Sequence, residues 1–245
     1  MAAITRQSEF SDHSLQKLQR PGKNVLVGTF ISPFIQGILL FTYAGTMAIS
    51  RAWFLLVINL VGMFGQIAFV AARNPELVNH RGLWKKKKDT KSWDKKIITG
   101  WGVLSGLMTS IVIGLDIRFD GANLGLWSVV VGTALFVFSV AVLTSAMLVN
   151  KHFETTVRIQ TDRNHKVITT GPHKYIRHPG YVGASLWALS APLIVGSVYG
   201  LIPAGMAVLL LIIRTVLEDR TLQRELTGYS EYARKVHYRL IPGLW

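Results

Sequence analysis

Apolar and polar positions along this chain fall into long blocks. Apolar runs cover about 25–49, 52–72, 97–115 and 125–149, and two shorter ones cover 181–195 and 201–217. The first four are near the roughly 20 residues with which an α-helix crosses a bilayer at about 1.5 Å per residue. The first two are separated only by Ser50-Arg51, which predicts an antiparallel hairpin. The last two, joined by Gly196-Ser197-Val198-Tyr199-Gly200, are short for full spans and predict a tight helical hairpin, tilted or set in a thinner part of the fold. The pattern predicts an all-α, polytopic integral membrane protein with about six transmembrane helices. It divides the chain into a polar tail over 1–24, a four-span scaffold over 25–149 and a core over 150–245 that carries a cytoplasmic cap. The tail has no apolar centre followed by a small-residue cleavage site, so it reads as a short cytoplasmic tail or surface helix rather than a signal peptide.

Composition agrees: half of the chain is apolar and only 16% is charged. The formal charge of +14 is concentrated in the loops over 73–96 and 150–180 and in the tail after Glu218, whereas the loops near 51, 116–123 and 196–200 are poor in Lys and Arg. Six crossings with both termini in the cytoplasm satisfy this bias. The basic charge thus predicts contact with the lipid bilayer and no nucleic acid, and Lys85 to Lys88 read as a solvated anchor on anionic head groups. Without cysteine there is no disulfide, thiolate metal site or cysteine nucleophile, and no metal site is expected. Oligomeric state is left open. Inside the spans Gln36, Asn59 and Gln66 are the main polar side chains, too few ionisable groups for an ion or proton path. Chemistry is therefore expected at the cytoplasmic interface.

Two stretches carry it. Val167 to Gly183, VITTGPHKYIRHPGYVG, ends where the fifth apolar run begins. Gly171-Pro172 is a turn signal, and Pro179 suits a first helical turn, where its missing N–H costs nothing. That helix start and Arg177 together suit a carboxylate or phosphate. Tyr175 and Tyr181 offer flat rings with polar tips, for an adenine or for the membrane interface. In the second stretch, Arg214 and Glu218 are four apart and share a helix face. They form either an ordinary surface ion pair or a pair that orients a ligand against the His178 segment. Part of 156–160 alternates polar and apolar residues and reads as extended.

The segment GPHKYIRHPGYVG, the following hairpin, Glu218-Asp219, and Gly228 with Tyr229 and Tyr232 before Pro242 resemble the C-terminal core of the isoprenylcysteine carboxyl methyltransferase family, within a wider group of integral-membrane methyltransferases that includes the phospholipid N-methyltransferases. The resemblance covers about 150–245. It implies S-adenosyl-L-methionine as methyl donor, held by Gly171, Pro172, Tyr175, Arg177, His178, Pro179, Tyr181, Gly183 and Glu218, with Arg214 and Glu218 at the reacting centre. His173 stands where a tyrosine is common, and Glu218-Asp219 where two glutamates are common. The implied acceptor is lipidic or a small amphiphile, with carboxylate O-methylation favoured. A prenylated cysteine, a phospholipid amine, an isoprenoid-like metabolite and a small thiol all stay open. So does the membrane: plasma membrane in a prokaryote, endoplasmic reticulum in a eukaryote. Two other readings remain, a membrane sterol or enone reductase using NADPH and a non-catalytic scaffold.

Overall fold

The computed structural model describes residues 17–121 and 124–245; most of the expected N-terminal tail, and the end of the 116–123 loop, lie outside them. Among the described residues the protein is helical and has no strands. In chain order the helices are α1 (Arg20–Ala44), α2 (Ser50–Arg73), the short α3 (Pro75–Gly82), α4 (Ser92–Arg118), α5 (Leu126–Val149), α6 (Pro179–Val195), α7 (Leu201–Glu225) and the short α8 (Tyr229–Lys235). Five of them, α1, α2, α4, α5 and α7, are long and apolar enough to cross a membrane, and α6 is apolar but only 17 residues long. The polytopic architecture is thus as the apolar runs predict, with α6 as the short sixth element.

Several boundaries differ from expectation. Helix α1 begins at Arg20 with Pro21 in its first turn, so residues 20–24 belong to the bundle and not to the tail. Helix α4 runs from Ser92 to Arg118, which makes Lys95, Lys96 and Asp116 helical rather than loop residues. Helix α7 continues two turns past Leu217 to Glu225, because charged residues extend a helix readily once it leaves the apolar layer. The 73–96 connection is more than a solvated loop. Asn74 caps α3 by accepting from the Leu77 N–H at 3.0 Å, and Leu77, Val78 and Asn79 are buried against the bundle. The 156–160 stretch is irregular rather than a strand.

One buried apolar cluster, with Leu40, Leu55, Ile113, Phe136 and Ile194, lies at the end of the bundle away from residues 150–178; two others, around Val70, Leu77 and Met147 and around Leu222, Tyr229 and Tyr232, pack against Phe153 and against Ile159 and Val167. Nearer residues 150–178, α2 and α4 each contain a π-helical turn, Leu60–Phe64 and Val103–Met108. Such turns insert a residue into the helical register and re-aim the side chains beside them. Helices α5 and α6 approach closely through small residues, as membrane helices do when no hydrophobic drive separates protein from lipid. Ser139 Oγ donates to the Gly183 carbonyl at 2.7 Å, and a methyl group at Gly183 would meet Leu143 Cγ at 2.6 Å.

Gly183→Leu is expected to lower the thermal midpoint of the detergent-solubilised protein, since overpacking of this kind costs about 1–3 kcal/mol. Gly205→Ala in α7, where nothing lies within 4 Å of the new methyl, is expected to leave the midpoint unchanged or raise it slightly. Equal midpoints for the two variants would contradict the α5–α6 contact.

Candidate active site

A cavity of about 520 Å³ lies between the membrane helices and a cap made from residues 150–178 and the C-terminal tail. It is of the size that encloses small organic ligands. Arg177, His178, Pro179, Tyr181, Arg214 and Glu218 line it, so the two sequence clusters converge on one space. Gly171, Pro172, Tyr175 and Gly183 do not line it. Tyr175 is 65% exposed, Gly183 serves the α5–α6 contact, and Gly171 adopts φ +57° at the start of a short 3-10 turn packed on Val149.

The convergence is built by the backbone as much as by side chains. The Arg177 and His178 N–H groups donate to the Tyr238 and Arg239 carbonyls at 2.9 and 3.0 Å, which ties the C-terminal tail to the start of α6. Pro179 occupies the first turn of α6, as its sequence context predicts. Asp219 then gathers the cap. It is fully buried, accepts from Arg177 Nη1 at 2.8 Å through both oxygens, and also bonds Arg239 Nε at 3.0 Å, Tyr229 OH at 3.0 Å and Gln223 Nε2 at 2.8 Å. His178 Nε2 is 3.3 Å from the same carboxylate. Arg177 therefore spends one end of its guanidinium on Asp219 and, through Nη2, on the His237 carbonyl at 3.1 Å. Its buried Nε has no partner among the described residues.

Arg214 and Glu218 share a face but make no ion pair of 4 Å or less. Arg214, 5% exposed, donates from Nε and Nη2 to Asp94 at 2.6 and 3.1 Å, and from Nη2 to the Thr155 carbonyl at 2.7 Å. Asp94 also accepts from the Val157 N–H at 2.8 Å, so this pair joins α4, α7 and the cap. The surface-pair reading of Arg214 and Glu218 is replaced by two separate anchors. Glu218 accepts from the Tyr181 hydroxyl, and Arg214 lies 5.1 Å from the Tyr181 ring centroid, close enough for a cation–π contact. His178 stacks on Tyr181 with ring centroids 5.7 Å apart and places Nδ1 3.9 Å from Glu218.

The outer cap is an ionic lattice. Arg158 reaches Glu154, Asp162 and Asp89 at 2.8 Å each. Burial works against its charge, and those three bonds outweigh burial and raise its pKa. Lys87, expected to be part of a solvated anchor, lies 3.9 Å from Glu154 and 3.7 Å from Asp162. Sequence reasoning left Asp94 and Asp219 out of the site. Each has a faint signal: Asp94 is an acid inside a lysine-rich stretch, and Asp219 follows Glu218 on a helix that faces Arg177-His178.

Burial pushes the imidazoles of His80, His165 and His173 from the usual 6.5 down to about 4, aided by Arg163 and Lys87 at His80 and by His152 at His165. An unfolded chain takes up these protons near pH 6.5, and the folded chain only near pH 4. The unfolded state therefore binds more protons across this window, and stability falls as pH drops through it. The thermal midpoint is expected to decline between pH 6.5 and 4, and His165→Gln to flatten that decline; a flat profile in the parent protein would refute the assignment. Independently, Asp219→Asn should cost about 3–5 kcal/mol, as breaking a buried pair does, and expose the 226–245 tail to protease. Glu231→Gln, which removes only an exposed pair with Lys235, should leave protease sensitivity unchanged.

Residues 131–224, which include most of α5, the 150–178 segment, α6 and nearly all of α7, match the isoprenylcysteine carboxyl methyltransferase family. Two rice proteins, from Oryza sativa subsp. indica and subsp. japonica, each named probable protein-S-isoprenylcysteine O-methyltransferase, are 28% identical to the chain over 115 residues, which is 46% of this chain. The chain spans 57% of the length of these relatives. The matched segment holds Arg177, His178, Tyr181, Arg214 and Glu218, so the similarity to the isoprenylcysteine carboxyl methyltransferase family extends over the part of the chain that carries the candidate site.

Proposed function

We propose that this protein is an integral-membrane methyltransferase that takes its methyl group from S-adenosyl-L-methionine and passes it to a lipidic or small amphiphilic acceptor, most simply a carboxylate. The observation that carries this reading is the convergence of His178, Tyr181, Arg214 and Glu218 on one cavity that continues from the cap into the membrane helices. In this reading six crossings keep both termini and the cap on the cytoplasmic side, where the basic loops lie. The acceptor enters from the bilayer.

The residues present fit the donor. Glu218 sets a carboxylate on the cavity wall, suited to balance a sulfonium cation. His173 is buried and lines the cavity, with Nδ1 3.3 Å from the Arg177 carbonyl; when Nδ1 donates there, Nε2, which has no partner among the described residues, is left as an acceptor for an amino group such as adenine's. The unpartnered Arg177 Nε and the start of α6 suit an amino-acid carboxylate. In this assignment Gly171, Pro172, Tyr175 and Gly183 support the site from outside the cavity, shaping the turn before α6 and the packing behind it.

S-adenosyl-L-methionine, when bound, supplies an electrophilic methyl group. The protein's share is to hold the acceptor in line and to exclude water. Arg214 is fixed by Asp94 and the Thr155 carbonyl through Nε and Nη2, and those bonds leave Nη1 to orient an acceptor carboxylate. An ionised carboxylate needs no base. For an amine acceptor, Glu218 or His178 would take the proton.

The test is calorimetric binding of S-adenosylhomocysteine to the solubilised protein, with NADPH titrated in parallel. Saturable S-adenosylhomocysteine binding is expected, and Glu218→Ala and His178→Ala should each abolish methyl transfer with membrane insertion intact. Binding of NADPH in its place would select the reductase reading, and binding of neither to folded protein would select the scaffold.

A further inference from the structure

The cavity does not end at the cap. Its inner part is walled by α1, α2, α4 and α6 and is unexpectedly polar for a space among membrane helices: Ser32, Gln36, Asn59, Gln66 and Ser105 all face it. Some of this polarity is internally satisfied. Asn59 accepts from Trp187 Nε1 at 2.9 Å and donates to the Leu55 carbonyl at 3.1 Å, and Ser105 donates to the Trp101 carbonyl at 2.7 Å. Two donors are not. Gln66, 8% exposed, has an amide nitrogen without a partner among the described residues, and so has the indole N–H of Trp101, whose ring lies 5.9 Å from that of Trp187. Both line the cavity. A buried donor left unpaired costs about 1–3 kcal/mol in general, and a membrane interior offers it no water in compensation. A pocket shaped only for a hydrocarbon tail gains nothing from either group.

We propose that the inner chamber recognises oxygen atoms in the tail of the methyl acceptor, so that the acceptor is an amphiphile with a hydroxyl, carbonyl or ether oxygen in its chain rather than a plain hydrocarbon or prenyl tail. This rests on the methyltransferase reading of the same cavity. The spacing fits an extended molecule. Gly100 packs against Leu210, so Trp101 sits near the level of Leu210, eight residues before Glu218 on α7, or about 12 Å further in at 1.5 Å per residue. Arg214, four residues from Leu210, lies only about 6 Å from that level, so a head group held between Arg214 and Glu218 leaves about 6 to 12 Å of chain to reach the indole N–H. The π-helical turns Leu60–Phe64 and Val103–Met108 lie beside both donors, which is where a change of helical register re-aims side chains toward a ligand.

The experiment is equilibrium binding of two radiolabelled probes, dodecanoate and a dodecanoate bearing a hydroxyl at mid-chain, to the detergent-solubilised full chain without methyl donor. The hydroxylated probe is expected to bind about tenfold more tightly, the scale of one buried donor gaining its partner. Gln66→Leu, close in size to the parent residue, and Trp101→Phe, which removes the indole N–H together with part of the ring, should each reduce that preference, and Gln66→Leu should leave dodecanoate binding equal or tighter. Equal binding of the two probes, a preference for dodecanoate, a preference unchanged in both variants, or no binding of either probe to folded protein would overturn the proposal. S-adenosylhomocysteine binding in the same preparation reads the methyltransferase assignment separately, so a loss of one leaves the other standing.

Discussion

The buried carboxylate of Asp219 is the constraint from which the site follows. A charge taken out of water this completely is tolerated only when it is paired and hydrogen-bonded on every side, and Asp219 reaches that state by drawing together Arg177 before α6, Gln223 on its own helix, Tyr229 on α8 and Arg239 in the tail. No two of these four partners are neighbours in sequence. Their common partner fixes where the tail lies, and the tail in turn fixes Arg177 and His178 through their backbone N–H groups. His178 and Tyr181 then stack, and Tyr181 meets Glu218. The geometry of the candidate site is thus downstream of a charge that does not face it.

A second buried acid does the same for the membrane side of the site. Asp94 holds Arg214 and the Val157 N–H, so the cap, α4 and α7 share one ion pair. Burial of such pairs gives little net stability, because desolvation offsets most of the attraction. Their value here is positional: three hydrogen bonds to Asp94 and the Thr155 carbonyl hold Arg214 where it lines the cavity. In the proposed methyl transfer, a displacement that needs no strong base, preorganisation of this kind would supply much of the rate through alignment. Burial above all, and then the nearby Arg214, push the Arg81 guanidinium, which donates to the Phe153 carbonyl, down to about 10, with Glu154 opposing the shift.

The sequence was most informative where physics acts locally. Long apolar runs marked each span, although α1 ends at Ala44 and not near 49 and α7 runs on to Glu225, and Pro179 announced the start of α6. Arg177, His178, Arg214 and Glu218 stood out because charge beside an apolar run needs a reason. What was not legible depends on pairing across the chain. The partners of Arg214 are Asp94 and Thr155, 120 and 59 residues away, and no spacing rule connects them; the i, i+4 rule pointed to Glu218 instead. Tyr175 looked like an adenine platform because it sits in the motif, yet the short 3-10 turn ending at Lys174 leaves it facing outward. Gly183 lies in the same motif, but its lack of a side chain serves the contact with Leu143 rather than a ligand.

The same contrast bears on the polar residues of the spans. Gln36, Asn59 and Gln66 were too few to suggest a transport path, and as single residues they read as minor imperfections in apolar helices. In the folded chain they point into one space with Ser32, Trp101 and Ser105, and each would be costly if turned toward lipid. Helix packing can absorb an amide by pairing it, as Asn59 is paired with Trp187. It has not absorbed Gln66 or the Trp101 indole. An apolar leucine and phenylalanine would fill those positions at lower cost in free energy, so the retained N–H groups are explained by a ligand that completes them. A cavity whose outer end holds charge, and whose inner end holds neutral donors, is matched to a molecule that is itself polar at two places along its length.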